Sequence, residues 1–213
     1  MPFTLGRRAV LFAALVAGLG IAVIVAAAAM SKSPKRAAAG LTATLKDATG
    51  RTVGTVRLTP GHRGRFEVRT RLRSLTPGFH GMHIHEAGVC QGDAKDAAGA
   101  PAPFFTAGGH LKSAPTQNHS DHAADMPPAL VMRNGTAFAR VVTDRLSVSD
   151  VLDANGSAVI VHLGADNLAN IPTRYHSHTP DAASTTFGPD TATLATGDAG
   201  GRAACGVLRR AKT

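Results

Sequence analysis

The stretch RGRFEVRTRLR, Arg63 to Arg73, alternates with a period of two. Arg63, Arg65, Glu67, Arg69, Arg71 and Arg73 fall on one side; Phe66, Val68, Thr70 and Leu72 fall on the other. A helix cannot segregate such a pattern, because its period is 3.6 residues; a strand with one face in a core and one in water can. The first reading of the arginines is therefore a solvated outer face. A patch for polyanions or anionic lipid is the sharper alternative.

The same texture fills the chain from Leu41 onward. Candidate strands cover 41–46, 51–58, 64–73, 79–86, 129–133, 137–143, 157–162 and 203–208. Turn chemistry separates them, as in DATG at 47–50, TPG at 76–78 and ANG at 154–156. Asn134-Gly135 suits the positive φ angles of a tight hairpin. Short strands at this spacing predict an all-β sandwich or barrel. With no Trp and few aromatics in the chain, its core must be built mostly from Val, Leu, Ile and Ala. Two long segments, 87–128 and 164–202, interrupt the strands, and loops of that length usually carry function.

The first 39 residues differ. They hold five basic residues and no acidic one, and Ala9 to Met30 is an uncharged run of 22 residues. That length spans a bilayer as a helix. It also fits a long signal peptide, with Ala27–Ala29 or Ala37–Ala39 as small-residue cleavage sites. Two Arg before the run and three Lys/Arg after it do not set its orientation; the rest of the chain is expected outside the cytoplasm, secreted or anchored to the outer face of the membrane. The expected organisation is a leader or anchor over 1–30, a linker over 31–39 and one domain over 40–213. That domain carries 18 basic and 14 acidic residues, a net of +4. It lacks any interleaving of aromatic with basic residues, which argues against nucleic acid as partner.

Ten histidines are the chemical signal. His83 and His85, two apart on a predicted strand, share a face, which is the start of a metal site or a chance pair on a wet sheet. The long loop adds His110 after Gly108-Gly109, then His119, His122 and Asp125 in an H-x-x-H-x-x-D cluster among small polar residues. His162 ends the apolar run SAVIV. Three nitrogen ligands suit copper (His83, His85, His162), three nitrogen and oxygen ligands suit zinc (His119, His122, Asp125), and His110 can join either set.

Five motifs in order carry a resemblance: GFHGMHIHEAGVC, AGGH, HSDHAAD, GSAVIVHLGAD and GDAGGRAACGVL. Together they resemble the copper-zinc superoxide dismutases of the bacterial exported type, over roughly residues 40–210. The resemblance implies an eight-stranded Greek-key sandwich or barrel of immunoglobulin-like kind with two long functional loops, behind an N-terminal hydrophobic helix. It implies copper on His83, His85, His110 and His162, and zinc on His110, His119, His122 and Asp125, with His110 bridging. Asp166 would hydrogen-bond ligands of both metals. Arg202 would hold superoxide, and His110 would pass a proton. His80 would be a hydrogen-bonded structural histidine rather than a ligand. Cys90 and Cys205 would form a disulfide closing 115 residues. In the chain-entropy picture such a bridge stabilises by about 4–5 kcal/mol.

The sequence departs from the family pattern at Ala124, where a glycine is usual, and in the long stretch 167–201. There His176 and His178 read as exposed loop histidines, with extra metal ligands as the alternative. A non-catalytic copper-binding or copper-delivery module on the same fold is the competing function. The partners implied are superoxide as substrate and the membrane through an uncleaved N-terminal segment; a homodimer is left open.

Overall fold

The computed structural model describes residues 40–171 and 189–212. The predicted leader or anchor, the linker, and His176 and His178 lie outside the described residues.

Among the described residues nine strands form one antiparallel sheet: β1 (Leu41–Lys46), β2 (Thr52–Pro60), β3 (Phe66–Leu72), β4 (Gly78–His85), β5 (Asp125–Val131), β6 (Ala137–Thr143), β7 (Ala158–His162), β8 (Arg202–Val207) and β9 (Arg209–Arg210). The first eight follow the order β5-β4-β7-β8-β1-β2-β3-β6, and the two-residue β9 pairs with β1. Edge strands β5 and β6 come side by side, so the sheet curls into a nearly closed barrel. The strand order departs from chain order as in a Greek key. Among the described residues no helix is long and apolar enough to cross a membrane.

Alternation builds the interior. Leu41, Ala43 and Leu45 of β1, Val53, Val56 and Leu58 of β2, and Phe66, Val68 and Leu72 of β3 are buried in one apolar cluster. Thr70, the polar member of the inward set of β3, is buried with them. Arg65, Arg69, Arg71 and Arg73 are exposed, as the pattern predicts. A smaller cluster, Phe104, Ala107, Ala158, Ile160 and Cys205, lies under the first long loop with Cys90 packed against it. Cys90 and Cys205 are disulfide-bonded, their Cα atoms 5.7 Å apart. The bridge clips the loop that follows β4 onto β8.

Most strand ends fall within two residues of the sequence expectation, and larger differences lie at β5 and in the connecting segments. β5 begins at Asp125 rather than 129, because Pro127 and Pro128 lie on an edge strand, where a missing N–H breaks no ladder. The second long segment contains a short helix, α2 (Thr191–Thr196), capped by the Asp190 side chain on Thr193 N. A four-residue helix, α1 (Val148–Val151), precedes it in the chain. At the Asn134-Gly135 turn only Gly135 has positive φ, +79°. The turn joins the two edge strands rather than closing a ladder-bonded hairpin, so its geometry answers to barrel closure.

Candidate metal centre

β4 settles the choice between a metal site and a wet sheet. Met82 and Ile84 point into the barrel core, while His83 and His85 are 0% and 1% exposed beneath the long loops. The imidazoles are thus on the outside of the barrel but shut away from water. β7 delivers His162 beside them, since β4 pairs directly with β7. The first long loop brings in His110, which forms an isolated bridge with His85.

One ligand atom from each of His83, His85, His110 and His162 lies within 4.8 Å of the others. Each ring is oriented by its other nitrogen or by a neighbour. His83 Nε2 is 2.6 Å from Asp166 Oδ2, His85 Nδ1 is 2.8 Å from the Gly108 carbonyl, and His162 Nδ1 is 2.9 Å from the Gly200 carbonyl. This leaves His83 Nδ1, His85 Nε2, His110 Nε2 and His162 Nε2 buried without a hydrogen-bond partner. Four converging buried nitrogens without partners are costly unless they hold a cation. Burial, helped for His162 by the neighbouring His83, pushes the pKa of His83 down to about 4 and that of His162 to about 3. Burial also holds His85 well below its ordinary value. All three are neutral near pH 7, the state in which imidazole binds a metal.

The second set centres on Asp125, the first residue of β5. Its carboxylate oxygens lie 3.0 Å from His110 Nδ1, 3.0 Å from His119 Nδ1 and 3.1 Å from His122 Nδ1. His110 Nδ1 and His122 Nδ1 are 3.2 Å apart. Donors of a tetrahedral zinc site, with bonds of about 2.0–2.1 Å, stand about 3.3 Å apart, so this set fits zinc in both chemistry and spacing. Ligand atoms of His83, His110, His119 and Asp125 also lie within 4.8 Å of one another. His122 Nδ1 touches both Asp125 and His110, while the unpartnered nitrogen of His83 converges with the first cluster. Burial opposes ionisation of Asp125, but hydrogen bonds from His110 and His119 outweigh it and hold the carboxyl far below its usual range. Burial likewise pulls His119 down, yet Asp125 and Asp166 win and raise it to about 9.

Asp166 joins the two sets. Its Oδ2 meets His83 Nε2 and its Oδ1 meets His119 Nε2, at 2.6 and 2.8 Å. His80 is 2% exposed and its ring nitrogens lie 2.6 and 2.8 Å from the His162 and Thr76 carbonyls, so it supports the site and is no ligand. Arg202, at the start of β8, donates to the carbonyls of Phe104 and Gly108. The Gly108 carbonyl thus serves Arg202 and His85 together. Arg202, His85, His110 and His162 line one wall of a cleft of about 420 Å³ whose other side is Ala195, Thr196 and Asp198. The structure brings His83, His85, His110, His119, His122, Asp125, His162, Asp166 and Arg202 together here, while Cys90 pairs with Cys205 elsewhere on β8.

Three supports had no sequence signal. Arg145 donates to the Ser120 and Asp121 carbonyls between His119 and His122, at 2.9 and 2.7 Å. The Leu194 carbonyl of α2 accepts from His119 N at 2.8 Å. Gly197 packs against the His119 ring.

The sequence profile of copper/zinc superoxide dismutases matches residues 52–208. The chain belongs to the copper/zinc superoxide dismutase family. A copper-zinc superoxide dismutase of Mycolicibacterium paratuberculosis is 42% identical over 63% of this chain and 57% of its own length. One from Mycobacterium tuberculosis is 38% identical over 80% of this chain and 70% of its own. The copper/zinc superoxide dismutase of Brucella abortus superposes with a TM-score of 0.58 at 26% identity, covering 80% of this chain and 99% of that one. Copper and zinc are this family's metals, and the two histidine clusters fit them.

Proposed function

We propose that superoxide dismutation, the activity of this family, is carried out here at a copper held by His83, His85, His110 and His162 beside a zinc held by His110, His119, His122 and Asp125. The observation that carries the assignment is the set of four buried imidazole nitrogens without partners, backed by a carboxylate, Asp166, that orients a ligand in each cluster. Copper would supply the one-electron exchange that turns one superoxide into oxygen and the next into hydrogen peroxide, while zinc, having no redox chemistry, would supply charge.

The protein's own groups do the rest. Burial lowers the pKa of Arg202, but a guanidinium stays protonated in proteins, so a fixed cation faces the cleft. Its guanidinium, anchored on two carbonyls, holds the anionic substrate beside the first cluster. His110 faces both clusters, Nδ1 toward Asp125 and Nε2 toward the copper set, so Nε2 is the atom that can carry a proton to the peroxide product. Asp166 fixes the tautomers of His83 and His119, which keeps His83 Nδ1 and His119 Nδ1 free to bind metal.

The uncharged run Ala9–Met30 and the paired cysteines support a site outside the cytoplasm, where disulfides persist and where superoxide, an anion, does not readily cross a membrane. An uncleaved run would anchor the domain and a cleaved one would release it. N-terminal sequencing of protein from membrane and medium fractions separates the two.

The test is metal content against superoxide decay. Purified protein loaded with copper and zinc should consume superoxide well above an equal amount of free copper. Full metal loading with no such excess would favour a copper-binding module instead.

A further inference from the structure

The outward face of β2, β3 and β6 lies on the half of the barrel away from the metal centre, whose ligands come from β4, β5, β7 and the loops. Register places Arg57 of β2 directly opposite Arg69 of β3, and Arg69 directly opposite Arg140 of β6. All three are exposed, as are Arg65 and Arg71. The only acid within these three strands is Glu67, which pairs with Arg69 and Arg140. Among the described residues no ion pair engages Arg57, Arg65 or Arg71. Within the three strands four outward arginines, Arg57, Arg69, Arg71 and Arg140, stand against one glutamate, a local net of +3.

Like charges directly opposite on neighbouring strands destabilise a sheet. A face that only needs to be wet is better served by mixed signs. Here three guanidinium groups stand in one row, and two exposed apolar side chains stand among them. Phe138 is 58% exposed and opposite Arg71, whose guanidinium lies 5.4 Å from its ring centre; Val142 is 59% exposed and opposite Glu67. Water rewards the charges but not Phe138 and Val142. A soluble polyanion does the same. The headgroup layer of an anionic membrane rewards both, because the arginines meet lipid phosphates while the apolar tips enter the acyl boundary.

We infer that the β2-β3-β6 face is a docking surface for an anionic lipid membrane, which leaves the metal cleft, on the other half of the barrel, facing away from the lipid. The inference does not depend on the metal assignment.

The test uses the full chain with an environment-sensitive fluorophore on V142C, mixed with phosphatidylglycerol-containing or all-phosphatidylcholine vesicles. The N-terminal apolar run contributes to both lipid types, so the reading is the difference between them. The label should shift to the blue on anionic vesicles, stay unshifted on neutral ones, and lose the shift at high salt. R57S/R69S/R140S should weaken the anionic-lipid response at least about tenfold while superoxide consumption stays unchanged. If that variant does not fold, R57S alone carries the test, since Arg57 has no ion pair to lose. An equal response on both lipids, or a response that survives the substitutions, would overturn the inference. So would retention on heparin without any response to vesicles, which would assign the face to a soluble polyanion.

Discussion

Gly197 leaves no space for a side chain because the His119 ring lies against it: a Cβ there would stand 2.4 Å from His119 Nε2 and 2.9 Å from Asp166 Oδ1. Gly197 also ends α2 with φ +62°, a conformation that costs any other residue. One glycine thus lets the cleft wall close over the hydrogen bond between His119 and Asp166. Gly197→Ala should open that bond and lower zinc affinity by about 10–100-fold, the usual cost of disturbing the groups behind a metal ligand. Chelator competition measures this, and far-ultraviolet dichroism should remain that of the parent barrel.

Arg145 reaches from the segment after β6 to the two residues that separate His119 from His122. It holds both carbonyls and the Asp121 carboxylate with one guanidinium. Arg145→Ala should loosen the spacing of the two zinc ligands and weaken zinc binding by about tenfold or more, with copper binding little changed. Arg145→Lys should fail to restore it, because an ammonium cannot span two carbonyls as a planar fork does. Restoration by lysine would show that only the charge matters.

The two clusters should differ in proton release. In the metal-free protein His119 is raised to about 9 from 6.5, so it is protonated at pH 7.5 and must lose that proton to bind zinc. Its contribution to stability is complete below pH 6.5 and is lost as pH rises through about 9. His83 and His162, lowered to about 4 and 3, run the other way: their contribution is present above pH 6.5 and is lost as pH falls through those values. Calorimetry in buffers of different ionisation enthalpy should therefore find about one proton released on zinc binding from His119, and none from His83, His85 or His162 on copper binding. Equal release from both would contradict this division.

Arg202 touches substrate space and no metal-binding nitrogen. Arg202→Ala should retain both metals and slow superoxide consumption on the order of tenfold to hundredfold, the scale set by removing a charged donor from a reaction site. Elemental analysis beside stopped-flow decay separates the effects. Lost copper with a normal rate per copper would give Arg202 a structural role instead.

The barrel was largely legible because alternation is local: β1 and β6 fall where the period of two ends. β5 was cut short because its prolines are tolerated only on an edge, and edge position is a property of the whole sheet. The converging histidines were legible because their spacing and the family motifs are written along the chain. Their supports were not. Arg145 meets the ligand loop 24 to 25 residues away, Gly197 meets His119 across the fold, and the Gly108 carbonyl serves two side chains through backbone alone. None of these contacts has a residue pattern that could announce it.

The most direct test of the copper assignment is His162→Ala, read as bound copper and superoxide decay on the same sample. His162 comes from a different strand than His83 and His85, and its Nε2 is one of the four nitrogens without a partner. The protein should lose copper and superoxide consumption together while retaining zinc and the disulfide. Unchanged copper content with an unchanged rate would contradict the site.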